Sequence, residues 1–229
     1  MMRKLERLRL SSVRWGCVAC VLTSFAAVLL SLIAINQHSN AVREQAEQGL
    51  CVSRLKKLAV AIDCYRSDFG CLPPAYLTDE RGTPIHSWRV LILPYLGWDD
   101  FYEQYDFSQP WNSDWNAALD RSNPRVAESF QSPSDGTARQ GFTSYVALVG
   151  PQTLWPGSAP LTTEQLAGNR GRILLTEIKN SGIHWMEPKD VSFEDASNGL
   201  VARSPHDGFT HFVLANGGGG VLETYRIRY

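Results

Sequence analysis

Five histidines, His38, His86, His184, His206 and His211, are the side chains of this sequence best suited to proton transfer or metal ligation. A zinc site needs three or four ligands at recognisable spacings. The chain has no H-x-x-x-H on a helical stretch, and its one C-x-x-C, Cys17 and Cys20, falls in an apolar run where a redox pair would lack its exposed helix end. His206, Asp207 and His211 make the best cluster. Within a strand, however, positions 206 and 211 differ by an odd number and point to opposite faces, which argues against shared ligation unless His206 lies in the preceding loop. Ser181 and His184, with Glu187 or Asp190 nearby, offer the residue types of a nucleophilic triad, but the chain lacks a G-x-S-x-G elbow and triads rarely gather from one short segment. Asp99, Asp100 and Glu103 read as solvated surface. The expectation is therefore a protein that is not an enzyme, with no catalytic residue, no cofactor and no metal.

The tetraglycine Gly217 to Gly220 invites a phosphate-cradle reading. Such a cradle requires a helix directly after the glycines, whereas VLETYRIRY has the composition of a strand, so a hairpin turn is expected instead. Three cysteines, Cys51, Cys64 and Cys71, follow the apolar run, and an odd count leaves one unpaired. A bridge between Cys64 and Cys71 is expected if the chain folds back after Gly70, since Cys51 lies more than three helical turns away.

The elements that must position these groups start with an uncharged run of 21 residues, Trp15 to Ile35, preceded by Arg3, Lys4, Arg7, Arg9 and Arg14 with only Glu6 to offset them. At about 1.5 Å per residue a helix of that length matches a bilayer of roughly 30 Å, and it is longer than the apolar region of a cleaved signal. The basic flank places residues 1–14 in the cytoplasm and everything after Ile35 outside the inner membrane. The whole chain carries a net charge of −1. Setting aside the basic tip leaves 17 Lys and Arg against 22 Asp and Glu, an acidic exported part with no electrostatic grip on nucleic acid. Gly16, Cys20, Ser24 and Ala27 form a small-residue stripe that suits helix packing, although small residues are also simply common in such spans.

Beyond the span no Pro intervenes before Pro73, so residues 36–70 continue the helix. Cys51, Leu55, Leu58, Ile62, Tyr65 and Phe69 recur at spacings of four and three, one apolar stripe for packing against a sheet or another helix. Gly70, Pro73 and Pro74 end it. SWRVLILPYL, from Ser87 to Leu96, reads as a short helix stopped near Pro94, although its apolar run also suits a strand. FTSYVALVG, RILLTEI, GFTHFVLAN and GVLETYRIR have the β-branched and aromatic enrichment of four strands. Two polar stretches, DFSQPWNSDWNAALDRSNP and PQTLWPGSAPLTTEQLAGNR, read as long loops. Their Trp111, Trp115 and Trp155 are candidates to hold a partner or, alternatively, to pin the loops on the core. The fold expected is α+β and pilin-like, with residues 50–70 packed on a mainly antiparallel sheet in a head spanning 71–229.

A basic tip, a spanning helix with an amphipathic continuation and a sheet-bearing head is the layout of type IV pilins and type II secretion pseudopilins. CVSRLKKLAVAIDCYRSDFGCLPP from Cys51, FYEQYDFSQPWNS from Phe101, SPSD from Ser132, TSYVALVGPQTLWPG from Thr143, SGIHWMEPKDVSFEDA from Ser181 and the closing HDGFTHFVLANGG resemble, in this order, a large bacterial domain-of-unknown-function family with prepilin-like N termini. That resemblance implies a single-pass protein of the cytoplasmic membrane with its C-terminal domain outside, serving as a structural or interaction subunit without catalysis. Other pilin-like subunits or envelope proteins are the partners it implies. An exported binding module that uses the Trp-rich loops to hold a peptide, glycan or envelope component is the alternative; a hydrolase built around His184 or His206 is the third. Three departures stand out. Gly16 is followed by CVACV, with Val21 where the prepilin signal has Glu; the family often has Cys where this chain has Ser132, which implies that Cys51 lacks the partner it has there; and the common closing ADGS is Ala215, Asn216, Gly217 and Gly218.

Overall fold

Helix α1 covers Met2–Phe69 and contributes to both of the compact units into which the chain divides, residues 1–46 and 47–229. The computed structural model describes residues 2–135, 141–199, 204–206 and 209–223, without the side chains of 2–24, 26, 198, 222 and 223. Among the described residues no helix is long and apolar enough to cross a membrane. Of the span expected at Trp15 to Ile35, the side chains of residues 15–24 and 26 lie outside that description.

In the second unit the C-terminal part of α1 behaves as its spacing predicts. Cys51, Leu55, Leu58 and Ile62 are almost wholly buried, and Ala59 and Ala61 widen the stripe. Removing each large apolar side chain from water contributes about 1.5–3 kcal/mol, which makes this face a principal wall of the core. The stripe fades at its end: Tyr65 is half-buried and Phe69 is exposed, stacked on Tyr65 at 4.4 Å. The helix stops where Gly70 takes φ of 72°, a conformation a residue with a Cβ resists, and the Gly70 amide closes on Arg66 O at 2.8 Å.

After α1 come β1 (Tyr76–Thr78) and β2 (Pro84–Ser87), an antiparallel pair. Ser87 then caps α2 (Trp88–Leu91) by accepting from the Arg89 amide, and a 3-10 turn follows at Pro94–Leu96. The helix expected over Ser87 to Leu96 is thus only one α-turn long. The first long loop is a correction too, for between a short α3 (Asp99–Gln104) and α5 (Pro124–Glu128), which starts at the last residue of that stretch, it contains α4 (Asp114–Ser122), capped by the Ser113 hydroxyl. The second contains α6 (Thr163–Ala167), opened by a reciprocal capping box between Thr162 and Gln165.

The expected strand FTSYVALVG divides in two. β3 (Tyr145–Val146) pairs antiparallel with β5 (Ile173–Glu177), whereas β4 (Leu148–Val149) pairs parallel with β6 (Val191–Ser192), which leads into α7 (Phe193–Gly199). Between the halves, the Ala147 amide donates to Asp190 Oδ1 at 2.8 Å, so a carboxylate takes the place of a strand partner and lets the chain change neighbours. β7 (Phe209–Leu214) and β8 (Gly219–Glu223) complete an antiparallel sheet in the order β3-β5-β7-β8. The glycine turn is a hairpin as expected, although only Gly217 needs a positive φ, at 80°; Gly219 and Gly220 belong to β8, where Gly219 passes so close to Phe212 O that a Cβ would lie 2.9 Å from it. This is an α+β fold whose core lies between the buried stripe of α1, the short helices and the sheet.

Candidate functional site

Three buried or half-buried polar clusters are candidates. The first joins the start of the buried α1 stripe to the middle of the sheet. The pairing Thr176↔Phe212 sets His211 of β7 beside Glu177, the last residue of β5. His211 Nδ1 meets Glu177 Oε2 at 2.8 Å. His206 lies before β7 and makes an isolated bridge back to Phe209, so its ring stacks on Phe209 at 5.0 Å and its Nε2 comes within 3.3 Å of the same carboxylate oxygen. The odd spacing of the two histidines is overcome because His206 is outside the strand, which is the exception the sequence left open. Cys51 enters from α1, its Sγ 3.1 Å from Ser132 Oγ and 3.6 Å from Ser134 Oγ. Cys51, Glu177, His206 and His211 are all nearly inaccessible to solvent.

Burial works against charge on Glu177, yet the two imidazoles and the Ser132 hydroxyl more than offset it and hold the carboxyl at about 2. Burial likewise works against a charged His206, but contacts with Cys51 and Glu177 push it up to about 9. Among the described residues the cluster is incompletely satisfied: Glu177 Oε1 and His206 Nε2 are buried without a hydrogen-bond partner, the 3.3 Å contact of Nε2 being a charge contact. Cys51, Glu177 and His206 each offer a ligand atom, and these atoms lie within 4.8 Å of one another.

The second cluster is a buried ion pair. Arg89 Nη2 lies 2.6 Å from Asp190 Oδ1, and both side chains are almost fully enclosed. The guanidinium also donates to Ser87 Oγ, Lys189 O and Tyr145 O, while Asp190 accepts from the Trp88 indole and the Ala147 amide. Burial is the largest influence on Asp190 and raises its pKa in spite of these partners. The pair is placed to join α2, β3 and the approach to β6.

The third cluster contains His184, whose Nε2 is 3.3 Å from Asp120 Oδ2 of α4 while Asp120 Oδ1 accepts from the Trp185 indole at 2.7 Å. Ser181 does not join it: its hydroxyl is turned onto the backbone of Ile183. Glu187 accepts from the His184 amide, not from the ring, and Asp190 belongs to Arg89, so the triad entertained from sequence is not assembled.

Other predicted residues are scattered. Trp155 is buried in the core, its indole donating to Leu174 O at 2.7 Å and its ring 5.2 Å from Trp88, which removes it from any partner surface. Trp111 is half-buried and stacks on His184 at 5.1 Å. Trp115 is 56% exposed, although its indole is tethered to Gln104 O. The Cys64 to Cys71 bridge is not formed: both are free thiols, Cys64 on an exposed flank of α1 and Cys71 held past the helix end by a bridge to Thr162. Of the small-residue stripe, Ala27 is exposed, while the side chains of Gly16, Cys20 and Ser24 lie outside the described residues. A groove of about 440 Å³ runs between α1 and the tip of the β7–β8 hairpin, lined among others by Lys56, Val60, Leu166, Arg170 and Leu214; no member of the three clusters lines it.

Sequence reasoning missed Glu177. The signal was present, since RILLTEI sets an acidic residue between an apolar strand and Ile178, a placement that calls for a buried partner.

An α+β head fed by a long N-terminal helix, with a buried Cys, Glu and His cluster, is the class of protein these features define. The chain belongs to a family of proteins of unknown function (DUF1559), which it matches over residues 40–170. That match includes Cys51 and Ser132 and ends before Glu177. No curated protein and no solved structure matches the chain.

Proposed function

We propose that this chain is a membrane-tethered, non-catalytic structural or interaction protein of the cell envelope, related in layout to pilins and pseudopilins. The observation that carries the proposal is an apolar stretch of α1 in the first unit, where Phe25, Val28, Leu29, Leu30, Leu32, Ile33 and Ile35 are all exposed. An apolar run of this size in water is a liability that a bilayer removes. Its one polar interruption among these residues, Ser31, donates to Ala27 O at 2.9 Å and so needs no water. The basic tip ahead of the run sets the orientation, with the second unit outside the cytoplasm.

Membrane fractionation with alkaline extraction, combined with protease treatment of sealed spheroplasts, tests this reading. The protein should stay with the membrane and its second unit should be digested from outside. Extraction into the soluble fraction, or protection of the second unit, overturns it. Cysteine cross-linking at Ala27 in membranes then separates a subunit that contacts its own kind from a solitary tether. The exported binding module is favoured by a single feature, the exposed Trp115 face, and Trp115→Ala should abolish partner capture if that reading holds.

A further inference from the structure

We propose that Cys51 Sγ, a carboxylate oxygen of Glu177 and His206 Nε2 form a closed structural site for one zinc-type divalent cation, with His211 holding the carboxylate from behind. The three donors converge from α1, the end of β5 and the segment before β7, with His211 on β7 behind them, so such an ion would tie the first helix of the head to its sheet. The three ligand atoms lie within 4.8 Å of one another, and the Glu177 to His206 separation is already 3.3 Å. Zinc bonds of about 2.0–2.3 Å at tetrahedral angles put neighbouring ligands roughly 3.3–3.6 Å apart, so one edge fits as it stands and small side-chain rotations close the others.

Satisfaction of the buried atoms points the same way. Among the described residues Glu177 Oε1 and His206 Nε2 find no hydrogen-bond partner, although neither is accessible to water. An orphaned buried carboxylate oxygen and ring nitrogen beside a thiol are a costly arrangement unless something else binds them. His211 Nδ1, 2.8 Å from Glu177 Oε2, has the placement of the groups that orient ligating carboxylates in metal sites. Ser132 Oγ, 3.1 Å from Sγ, brings a fourth donor atom within reach.

The donor set selects the ion. A thiolate and an imidazole beside one carboxylate suit zinc and its borderline neighbours, whereas calcium and magnesium require oxygen ligands throughout. On binding, the Cys51 thiol and the His206 ring, which its neighbours keep protonated near neutral pH, each release one proton to solvent as the sulfur–metal and nitrogen–metal bonds form. One thiolate, one carboxylate and a divalent ion sum to zero charge, the condition an enclosed site must meet.

The test uses the full chain, purified in detergent, stripped with a chelator and titrated with zinc and then with cobalt as a spectroscopic probe. Expected are one equivalent of metal per chain, a thermal midpoint that rises with zinc and falls again on chelation, and a thiolate-to-cobalt charge-transfer band. Glu177→Gln and His206→Gln should each weaken binding at least tenfold. His211→Asn should weaken it about 10–100-fold while the band persists at saturating cobalt. Cys51→Ser should remove the band, whereas Cys64→Ser and Cys71→Ser should leave it unchanged. Should Cys51→Ser fail to fold, alkylation of the unmodified chain serves instead: zinc should protect Cys51 and no other cysteine. Absence of stoichiometric metal, a band that survives Cys51→Ser, or protection of a different cysteine overturns the site.

Discussion

Arg89 with Asp190 and Glu177 with its two histidines are both enclosed charge clusters in the same head, yet they are finished to different degrees. Asp190 accepts from Arg89, Trp88 and Ala147, and the guanidinium spends its terminal nitrogens on Ser87, Lys189, Tyr145 and the carboxylate, leaving only Nε unpartnered. Glu177 uses one carboxylate oxygen for both imidazoles and leaves the other empty-handed. A nearly saturated buried pair serves architecture, because all but one of its polar atoms already have a neighbour. A buried cluster with unspent donors and acceptors is poised for something more, and that contrast underlies the zinc proposal.

The largest test of the contrast is Asp190→Ala. It strands the Arg89 guanidinium in the core and should lower stability by about 3–5 kcal/mol in urea unfolding. Replacing both partners, Arg89→Met with Asp190→Leu, should recover much of that loss. A single-mutant cost under about 1 kcal/mol would mean that the pair is not the structural member described here.

Ser132→Cys sharpens the other side. With the Cys51 thiol 3.1 Å from the Ser132 oxygen and 81 residues between them, oxidation should close a bridge worth about 4 kcal/mol by loop entropy. Non-reducing mass spectrometry and the unfolding midpoint would detect it, and the same bridge should abolish metal binding by consuming the ligand. A variant that stays reduced under oxidising conditions would show that the two residues do not approach in solution.

A smaller effect calibrates the surface against both clusters. Thr162→Ala removes the hydroxyl that accepts from the Gln165 amide and should cost about 1 kcal/mol. Chemical denaturation checks it, and a cost above that of Asp190→Ala would invert the ranking of buried over exposed polar groups.

The smallest effect concerns a third enclosed group. His86 is buried between the Tyr105 hydroxyl at 2.9 Å and Phe107 O at 3.0 Å, and burial lowers its pKa below the ordinary 6.5. Above pH 6.5 the ring is neutral in both folded and unfolded chains and contributes no slope. As pH falls through 6.5 the unfolded chain takes up a proton that the folded ring resists, so stability declines until the folded pKa is passed and then levels. Unfolding midpoints against pH should show this decline, and His86→Gln should flatten it.

Much of the frame was legible in the residues. The four-and-three spacing of Cys51, Leu55, Leu58 and Ile62 named the buried face of α1, and Gly70 named its end, because helical periodicity and glycine's freedom at positive φ act over a few neighbouring residues. The strand compositions and the Asn216–Gly217 turn foretold the hairpin for the same reason. The T-x-x-Q at Thr162 was an equally local signal for α6, passed over inside a stretch read as loop. The division of β3 from β4 was not legible, since it depends on Asp190 arriving from 43 residues away.

The candidate site shows the same boundary. Cys51 and the pair His206 and His211 could be singled out by type, but their meeting depends on His206 lying outside β7, on the register that sets Glu177 beside His211, and on a helix from the other end of the chain delivering the thiol. Short-range periodicity, capping and turn chemistry are written in adjacent residues, so the sequence alone determined the elements and their apolar faces. Which polar atoms are shut away together follows from how those faces pack, and only the tertiary structure decided that, because desolvation and ligand geometry act between atoms that are neighbours in space and strangers along the chain.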